Sequence, residues 1–240
     1  MAHLLDVFQK IYVINLASRA DRRDEMEAQL QRIGLSLRSD GVELFEAVRP
    51  RDKEAFPSIG SRGCFLSHLG VLRKAAASGF ERILILEDDL NFADDFQNRL
   101  SPIAERLRQS DWFLFYGGYR LEEEVTLPAG STMATVLPSQ RVGTSHFVGV
   151  AGDAIQLLVC YLEAQLERPA GDPAGGPMHV DGSYSWFRRA YPDALTLLAV
   201  PELGYQRASR TDIHDLRWFD RLWGVRSAIA VVRKQRNRGS

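Results

Sequence analysis

The sequence predicts an α/β fold in which a mostly parallel central sheet is flanked by helices. Two observations lead to this prediction. First, short apolar runs without a polar break, such as Ile11–Ile14 and Ile83–Leu86, are typical of strands that are buried on both faces. Second, these runs alternate with segments whose apolar residues recur every three or four positions, as in amphipathic helices. Strands that alternate with helices indicate one sheet covered by helices.

Length and composition limit the class of protein. The 240 residues are enough for one large α/β domain, and 45% of them are hydrophobic, which argues against gross disorder. The net charge of −1 excludes a general nucleic-acid binder. We expect neither a signal peptide nor a transmembrane helix, because no apolar stretch fits either. Cys64 and Cys160 match no metal spacing, so we interpret them as core thiols of a reducing compartment, with one disulfide as the alternative.

The first predicted strand, Ile11–Ile14, leads through a short loop into a helix that Ser18 is expected to cap. Arg19, Arg22 and Arg23 lie in the first turn of that helix, where basic side chains oppose the helix dipole. A bound anion would explain them, and so would a solvated face on which they pair with neighbouring Asp residues.

The middle of the chain continues the alternation of strands and helices. Val42–Val48 is a predicted strand, Arg49–Arg62 a loop and Gly63–Ser78 a helix. This helix carries His68, and a lone His on such a helix is more often structural than a ligand. Arg82–Glu87 is the next predicted strand.

The remaining predicted elements are a helix at Phe92–Leu107, strands at Trp112–Tyr116, Ala134–Leu137 and Thr144–Val150, helices at Ala154–Leu166 and from His179 to Arg189, and a strand at Leu195–Val200. Gly117 and Gly118 would let a ligand approach the backbone closely. The Pro- and Gly-rich segment Arg168–Met178 predicts a flexible loop, of the kind used as a lid or an acceptor-site loop. The basic amphipathic segment 216–240 predicts either a membrane-surface helix or a C-terminal helix docked on the sheet.

The main candidate for a functional site is the acidic triplet Glu87, Asp88 and Asp89, which ends the strand after Ile83–Leu86. Ligands of open α/β sheets bind beyond the carboxyl ends of strands, so chemistry is expected there. In an extended chain Glu87 and Asp89 point one way and Asp88 the other. Such oxygens hold a hard divalent cation, which in turn neutralises phosphate. The alternative is an acidic strand end that caps the next helix.

Four segments together resemble the family 25 glycosyltransferases, which are lipooligosaccharide galactosyltransferases related to the collagen galactosyltransferases. In the order of the family they are Ile11–Arg23 (IYVINLASRADRR), Gly63–His68 (GCFLSH), Ile85–Asp89 (ILEDD) and Pro201–Ile213 (PELGYQRASRTDI). The resemblance implies a Rossmann-like glycosyltransferase A-type fold as a single domain over residues 1–240. Within it, 11–120 would be the nucleotide-sugar and metal half, 121–215 the acceptor half and 216–240 the basic tail.

The resemblance also implies the reaction and its participants. A hexose, with galactose the expected sugar, would move with inversion from a UDP-sugar to a saccharide of lipooligosaccharide or a related glycan, assisted by Mn²⁺ or Mg²⁺. The partners are therefore a nucleotide-sugar donor and a glycan or glycolipid acceptor, and no nucleic acid. We expect the protein to be cytoplasmic, or peripheral at the inner face of the membrane through 216–240.

Carried over residue by residue, the resemblance implies a set of site residues. The expected metal ligands are Glu87, Asp88, Asp89 and Asp212. The expected substrate-binding residues are Asn15, Leu16, Arg19, Arg23, Ser67, His68, Gln206 and Arg210. Thr211 replaces a Ser of the family pattern and keeps its hydroxyl.

Asp89 and Asp181 are the predicted catalytic residues, Asp89 through the metal and Asp181 as the base. An inverting transfer needs a base that deprotonates the acceptor hydroxyl. Asp181 follows the loop 168–178, which would close over an acceptor, and Gly182 beside it permits close approach. A plain helix N-cap is the alternative for Asp181.

Two other functions would use the same residues. A metal-dependent nucleotide phosphohydrolase would employ the same carboxylates with water as the acceptor. A non-catalytic sugar-nucleotide binding module would bind UDP with metal and release none. The donor sugar, the acceptor and the linkage depend on the shape of the pocket, which single side chains on loops determine.

Overall fold

The computed structural model describes residues 2–121 and 130–207, which belong to the compact unit Met1–Arg207. The predictions for Arg210, Asp212 and the tail 216–240 lie outside the described residues. No helix in the described part of the chain combines the length and apolar character needed to span a membrane.

After a short 3₁₀ helix at Leu4–Asp6, the described elements are β1 Lys10–Asn15, α1 Ala20–Arg32, β2 Val42–Glu46, α2 Ile59–Ala77, β3 Arg82–Glu87, β4 Leu90–Phe92, α3 Phe96–Gln109, β5 Leu114–Leu121, β6 Met133–Thr135, β7 Val142–Ala151, α4 Ala154–Leu166, α5 Val180–Ala190, β8 Thr196–Ala199 and β9 Gly204–Gln206.

Seven strands form the central sheet in the order β2-β1-β3-β7-β5-β8-β6, and β4 pairs with β9 in a small antiparallel sheet. The pairs β1–β2, β1–β3 and β5–β8 are parallel. β7 is antiparallel to both β3 and β5, and β6 is antiparallel to β8. Strands β2, β1, β3, β5 and β8 therefore share one direction. The predicted mostly parallel α/β sheet flanked by helices is confirmed.

Strand β3 lies inside the sheet, between β1 and β7, and is covered on both faces. Leu84 and Leu86 belong to the hydrophobic layer that includes α1 and α3, and Ile83 and Ile85 belong to the layer that includes α2, α4 and α5. All four side chains are 0% exposed, as a strand without a polar break predicts. By the same alternation, Glu87 falls on the α2 side of the sheet.

Three helix starts differ from the prediction. α3 begins at Phe96 rather than at Phe92, which is the last residue of β4. α2 begins at Ile59, inside the predicted loop, because Ser58 and Ser61 form a reciprocal cap: each hydroxyl accepts a hydrogen bond from the other residue's backbone N–H at 3.0 Å. α1 begins at Ala20 after Arg19 and has no side-chain cap, so the prediction that Ser18 caps it is wrong.

Two interpretations of small residues are also corrected. Gly118 lies within β5, and a Cβ there would come within 2.4 Å of the Gly204 carbonyl oxygen and of His146 Nε2. The glycine therefore makes room for protein atoms rather than for a ligand. Cys160 is exposed rather than in the core, Cys64 is half-buried, and both are free thiols without a disulfide.

Candidate active site

Polar side chains from several elements meet at the carboxyl end of β3. Glu87 is the last residue of the strand, and Asp88 and Asp89 form the turn into β4. Because the strand ends at Glu87, the alternation expected for a continuing strand does not extend to Asp89. Each of the three carboxylates has a different set of partners.

Asp88 is hydrogen-bonded to one residue of β1 and one residue of α1. Its Oδ1 accepts a hydrogen bond from an Arg22 guanidinium nitrogen at 2.9 Å, and its Oδ2 accepts one from Asn15 Nδ2 at 2.8 Å. The three side chains are buried. Burial raises the pKa of Asp88, and Arg22 and Asn15 offset part of that rise. Both oxygens of Asp88 are thus engaged in tying β3 to β1 and α1.

Glu87 is bound on the opposite side of the sheet. Its Oε1 accepts a hydrogen bond from Ser145 Oγ at 2.6 Å and lies 3.3 Å from Nε2 of His68. The other ring nitrogen of His68 lies 2.9 Å from the hydroxyl of Tyr184 in α5. Burial raises the pKa of Glu87, but the hydrogen bonds and the charge of His68 outweigh it and hold that pKa below its ordinary value.

Asp89 keeps one carboxylate oxygen without a partner. Its Oδ2 accepts a hydrogen bond from Gln206 Nε2 at 3.0 Å, whereas its buried Oδ1 has no hydrogen-bond partner among the described residues. Burial, reinforced by the charge of Glu87, raises the pKa of Asp89 to about 7. A buried polar atom without a partner is uncommon and needs an explanation. Since carboxylate oxygens are the ligands of hard divalent cations, a metal ion would satisfy this atom.

Asp181 lies in the first turn of α5 but does not cap it, because His179 occupies the N-cap position. Its Oδ1 accepts a hydrogen bond from the Gly182 backbone N–H at 2.8 Å, and its Oδ2 accepts one from the Thr144 backbone N–H at 3.1 Å. Thr144 has a φ of 67°, an unfavourable conformation for a β-branched residue. Such strain is concentrated at functional sites, and here Asp181 helps to hold it in place.

The residues expected at the nucleotide side differ in their availability. The guanidinium of Arg19 makes a bidentate pair with the exposed Asp21, in agreement with the solvated-face alternative. Arg23 is half-buried, and no side-chain hydrogen bond or ion pair joins it to another residue of the described chain. Leu16 is half-buried at the end of β1.

Ser67 is fully buried in α2. Its hydroxyl donates a hydrogen bond to the Gly63 carbonyl at 2.6 Å and accepts one from the Val48 N–H at 2.8 Å. The hydroxyl therefore joins the helix to the segment that follows β2. Substrate binding by Ser67 stays a prediction.

Several residues of this region were not among the expected site residues, although one of them, Arg207, lies within the motif Pro201–Ile213. Ser145 and His146 come from β7, which inserts antiparallel between β3 and β5. Tyr184 comes from α5. Arg207 donates a hydrogen bond to the Asp88 carbonyl at 2.8 Å and pairs with Glu25 at the same distance. The basic first turn of α1 did point to Arg22, although as a ligand-binding residue rather than as the partner of Asp88.

Comparison with known proteins identifies the family. Residues 8–139 match the family described as Glycosyltransferase family 25 (LPS biosynthesis protein). The chain belongs to glycosyltransferase family 25, as its four motifs predict.

Individual relatives match shorter or longer parts of the chain. Procollagen galactosyltransferase 2 of Mus musculus is 31% identical over 192 residues, which are 72% of this chain and 29% of the relative. Inactive glycosyltransferase 25 family member 3 of Homo sapiens is 31% identical over 129 residues, 46% of this chain and 22% of the relative. The chain thus spans less than a third of the length of these two relatives. The crystal structure of a glycosyltransferase involved in the glycosylation of the major capsid of PBCV-1 has a TM-score of 0.49 and 13% identity, with 84% of this chain and 93% of that chain covered.

Proposed function

We propose that the chain transfers a hexose, with galactose the expected sugar, from a UDP-sugar to a saccharide acceptor of lipooligosaccharide or a related glycan. The transfer proceeds with inversion and is assisted by Mn²⁺ or Mg²⁺. The observation that carries the proposal is the buried, unpartnered Oδ1 of Asp89 at the carboxyl end of β3. Family membership supports the reaction class, and the mouse relative named a procollagen galactosyltransferase supports the sugar.

On the donor side, Asp89 would hold the metal ion while Gln206 orients its other oxygen. When bound, the ion neutralises the negative charge that develops on the departing nucleoside diphosphate. Asp88 contributes indirectly, because its bonds to Arg22 and Asn15 fix the turn that carries Asp89. Arg23 is the available guanidinium for the donor.

On the acceptor side, Asp181 would take the proton of the attacking hydroxyl. It is half-buried, and its two N–H donors fix the orientation of the carboxylate. An ionised carboxylate has about four lone-pair sites, so the two bonds leave it able to accept the proton.

The test is to measure UDP release from a panel of UDP-sugars, with Mn²⁺, Mg²⁺ or excess EDTA, and with or without a bacterial glycolipid acceptor. The proposal predicts release that needs both metal and acceptor, and none of that release in Asp89→Asn. Asp94→Asn is the matched control, since Asp94 lies in the same segment with a fully exposed side chain that pairs only at the surface with Arg32. Full activity in EDTA, or an active Asp89→Asn, would contradict the assigned metal role. Nucleotide hydrolysis that no acceptor stimulates would favour the phosphohydrolase.

A second candidate is a non-catalytic module that binds the sugar nucleotide. It is favoured by the name of the human relative, an inactive family member. This candidate predicts metal-dependent UDP binding by calorimetry, together with no UDP release from any donor and acceptor pair.

A further inference from the structure

A second group of ligand-type atoms lies on the α2 side of β3. Cys64 and His68 are four residues apart in α2 and therefore on one face of the helix, which packs toward the end of β3. Cys64 Sγ lies 3.9 Å from Oε1 of Glu87, and His68 Nε2 lies 3.3 Å from the same oxygen. The three ligand atoms all lie within 4.8 Å of one another.

The two separations that involve Glu87 are close to those between ligands around one tetrahedral zinc ion. With bonds of about 2.3 Å to sulfur and about 2.0–2.2 Å to nitrogen and oxygen, neighbouring ligand atoms are about 3.4–3.6 Å apart. The observed separations of 3.3 and 3.9 Å for the two pairs with Glu87 require shifts of only a few tenths of an ångström. A cation at the centre of the triangle would replace the contact between His68 and Glu87.

Two neighbouring side chains, Tyr184 and Ser145, orient His68 and Glu87 through hydrogen bonds. The hydroxyl of Tyr184 lies 2.9 Å from His68 Nδ1 and leaves Nε2 facing Glu87, the arrangement that metal-binding histidines ordinarily show. Ser145 likewise fixes the Glu87 carboxylate at 2.6 Å.

The electrostatics of the pocket favour a cation. Burial raises the pKa of the Cys64 thiol, and the charges of Glu87, Asp181 and Asp89 act on the same sulfur and raise it further. The same negative charges attract a divalent ion, which would let the sulfur bind as a thiolate. The Glu87 side chain is 14% exposed, so the group borders solvent at that carboxylate.

We propose that Cys64, His68 and Glu87 bind Zn²⁺, at a site separate from the oxygen-ligand position at Asp89. A thiolate and an imidazole select zinc over Mg²⁺ and Mn²⁺, which prefer oxygen ligands. Three protein ligands leave the fourth tetrahedral position open to water or another small ligand. The sequence alone did not indicate this site, because its ligands come from a helix and a strand.

The test uses Co²⁺ as a spectroscopic substitute for Zn²⁺ on the full 240-residue chain after treatment with EDTA. The expected result is one bound equivalent, a thiolate-to-cobalt charge-transfer band in the near ultraviolet, and loss of that band when Zn²⁺ is added. The band should be absent in Cys64→Ser and retained in Cys160→Ser. Because the chain has 2 cysteines, this pair of variants identifies the sulfur ligand.

Two further variants keep the proposal testable. In calorimetric titrations with Zn²⁺, Glu87→Gln should bind the ion at least tenfold more weakly than wild type. Tyr184→Phe removes only the hydroxyl beside His68 Nδ1 and should weaken binding roughly 10- to 100-fold. Circular dichroism establishes that each variant is folded. Cobalt binding without a thiolate band, or a band that persists in Cys64→Ser, would overturn the proposal.

Discussion

Replacing Arg22 by methionine should reduce the free energy of unfolding by about 3–5 kcal/mol near pH 8, the usual cost of removing one partner of a buried ion pair. Arg22 and Asp88 are 2.9 Å apart, and their side chains are only 10% and 9% exposed. Methionine preserves most of the apolar stem, so the expected loss comes from the uncompensated charge on Asp88. Because Asn15 still donates to the other oxygen, we expect the lower end of the range.

The pH dependence of that loss follows from Asp88. Burial already raises the pKa of this carboxyl, and removal of the guanidinium would raise it further. A folded-state pKa above the unfolded value means that the folded state binds more protons, so relative stability increases as the pH falls. The penalty of Arg22→Met should therefore be larger at pH 8 than at pH 5.

The assay is urea-induced unfolding of four proteins at both pH values: wild type, Arg22→Met, Asp88→Asn and the double variant. The double variant should recover much of the loss, because no buried charge is left without a partner. Arg19→Met is the control, since its partner Asp21 is exposed, and it should change stability by less than about 0.5 kcal/mol. A loss below about 1 kcal/mol for Arg22→Met at pH 8 would refute the role of Arg22 as the stabilising charge partner of Asp88. A double variant no more stable than Arg22→Met would refute it as well.

Three other predictions concern the catalytic base, the donor contact and acid stability. Asp181→Asn should lower kcat about 10²–10⁴-fold while UDP-sugar affinity and Tm stay near wild type, and a near-normal kcat would remove Asp181 as the base. Arg23→Ala should weaken UDP binding in calorimetry by about 1–3 kcal/mol. Arg19→Ala should weaken it less, and unchanged affinity in both variants would return these residues to the solvated-face interpretation. Burial lowers the pKa of His146, although the charge of Glu87 opposes the shift, so stability should fall as the pH drops below about 6.5. In urea titrations at pH 5 and 7, His146→Gln should show a smaller change than wild type, and an equal change would assign the acid sensitivity elsewhere.

Local sequence patterns predict the elements well where burial and periodicity agree. Helix Ala154–Leu166 has the predicted bounds, and Ile83–Leu86 is fully buried within β3. The start of α2 was missed because its capping pair is Ser58 and Ser61, without the Glu or Gln that usually marks such a cap. Strands β4 and β9 were missed because three residues are too few to show alternation.

The acidic triplet was found from the sequence, but the different environments of its members were not. Ser145 and Glu87 are 58 residues apart in the chain, and Arg22 and Asp88 are 66 apart. These pairs depend on the register of β7 against β3 and on how α1 packs, and no local pattern encodes either. The sequence therefore located the edge of the sheet where chemistry is expected, while the packed fold decided which carboxylate oxygen stays unpartnered.

The two-sided anchoring of β3 bears on how the protein would respond to a ligand. Glu87 is bonded to one helical layer and Asp88 to the other, so the end of the strand cannot tilt toward either layer without breaking a bond to the opposite one. Such a rigid edge needs little reorganisation when charge develops beside it, the condition under which fixed polar groups stabilise a transition state best. Adaptation to new sugars would then proceed through loops such as 168–178, while the bonds around β3 stay unchanged.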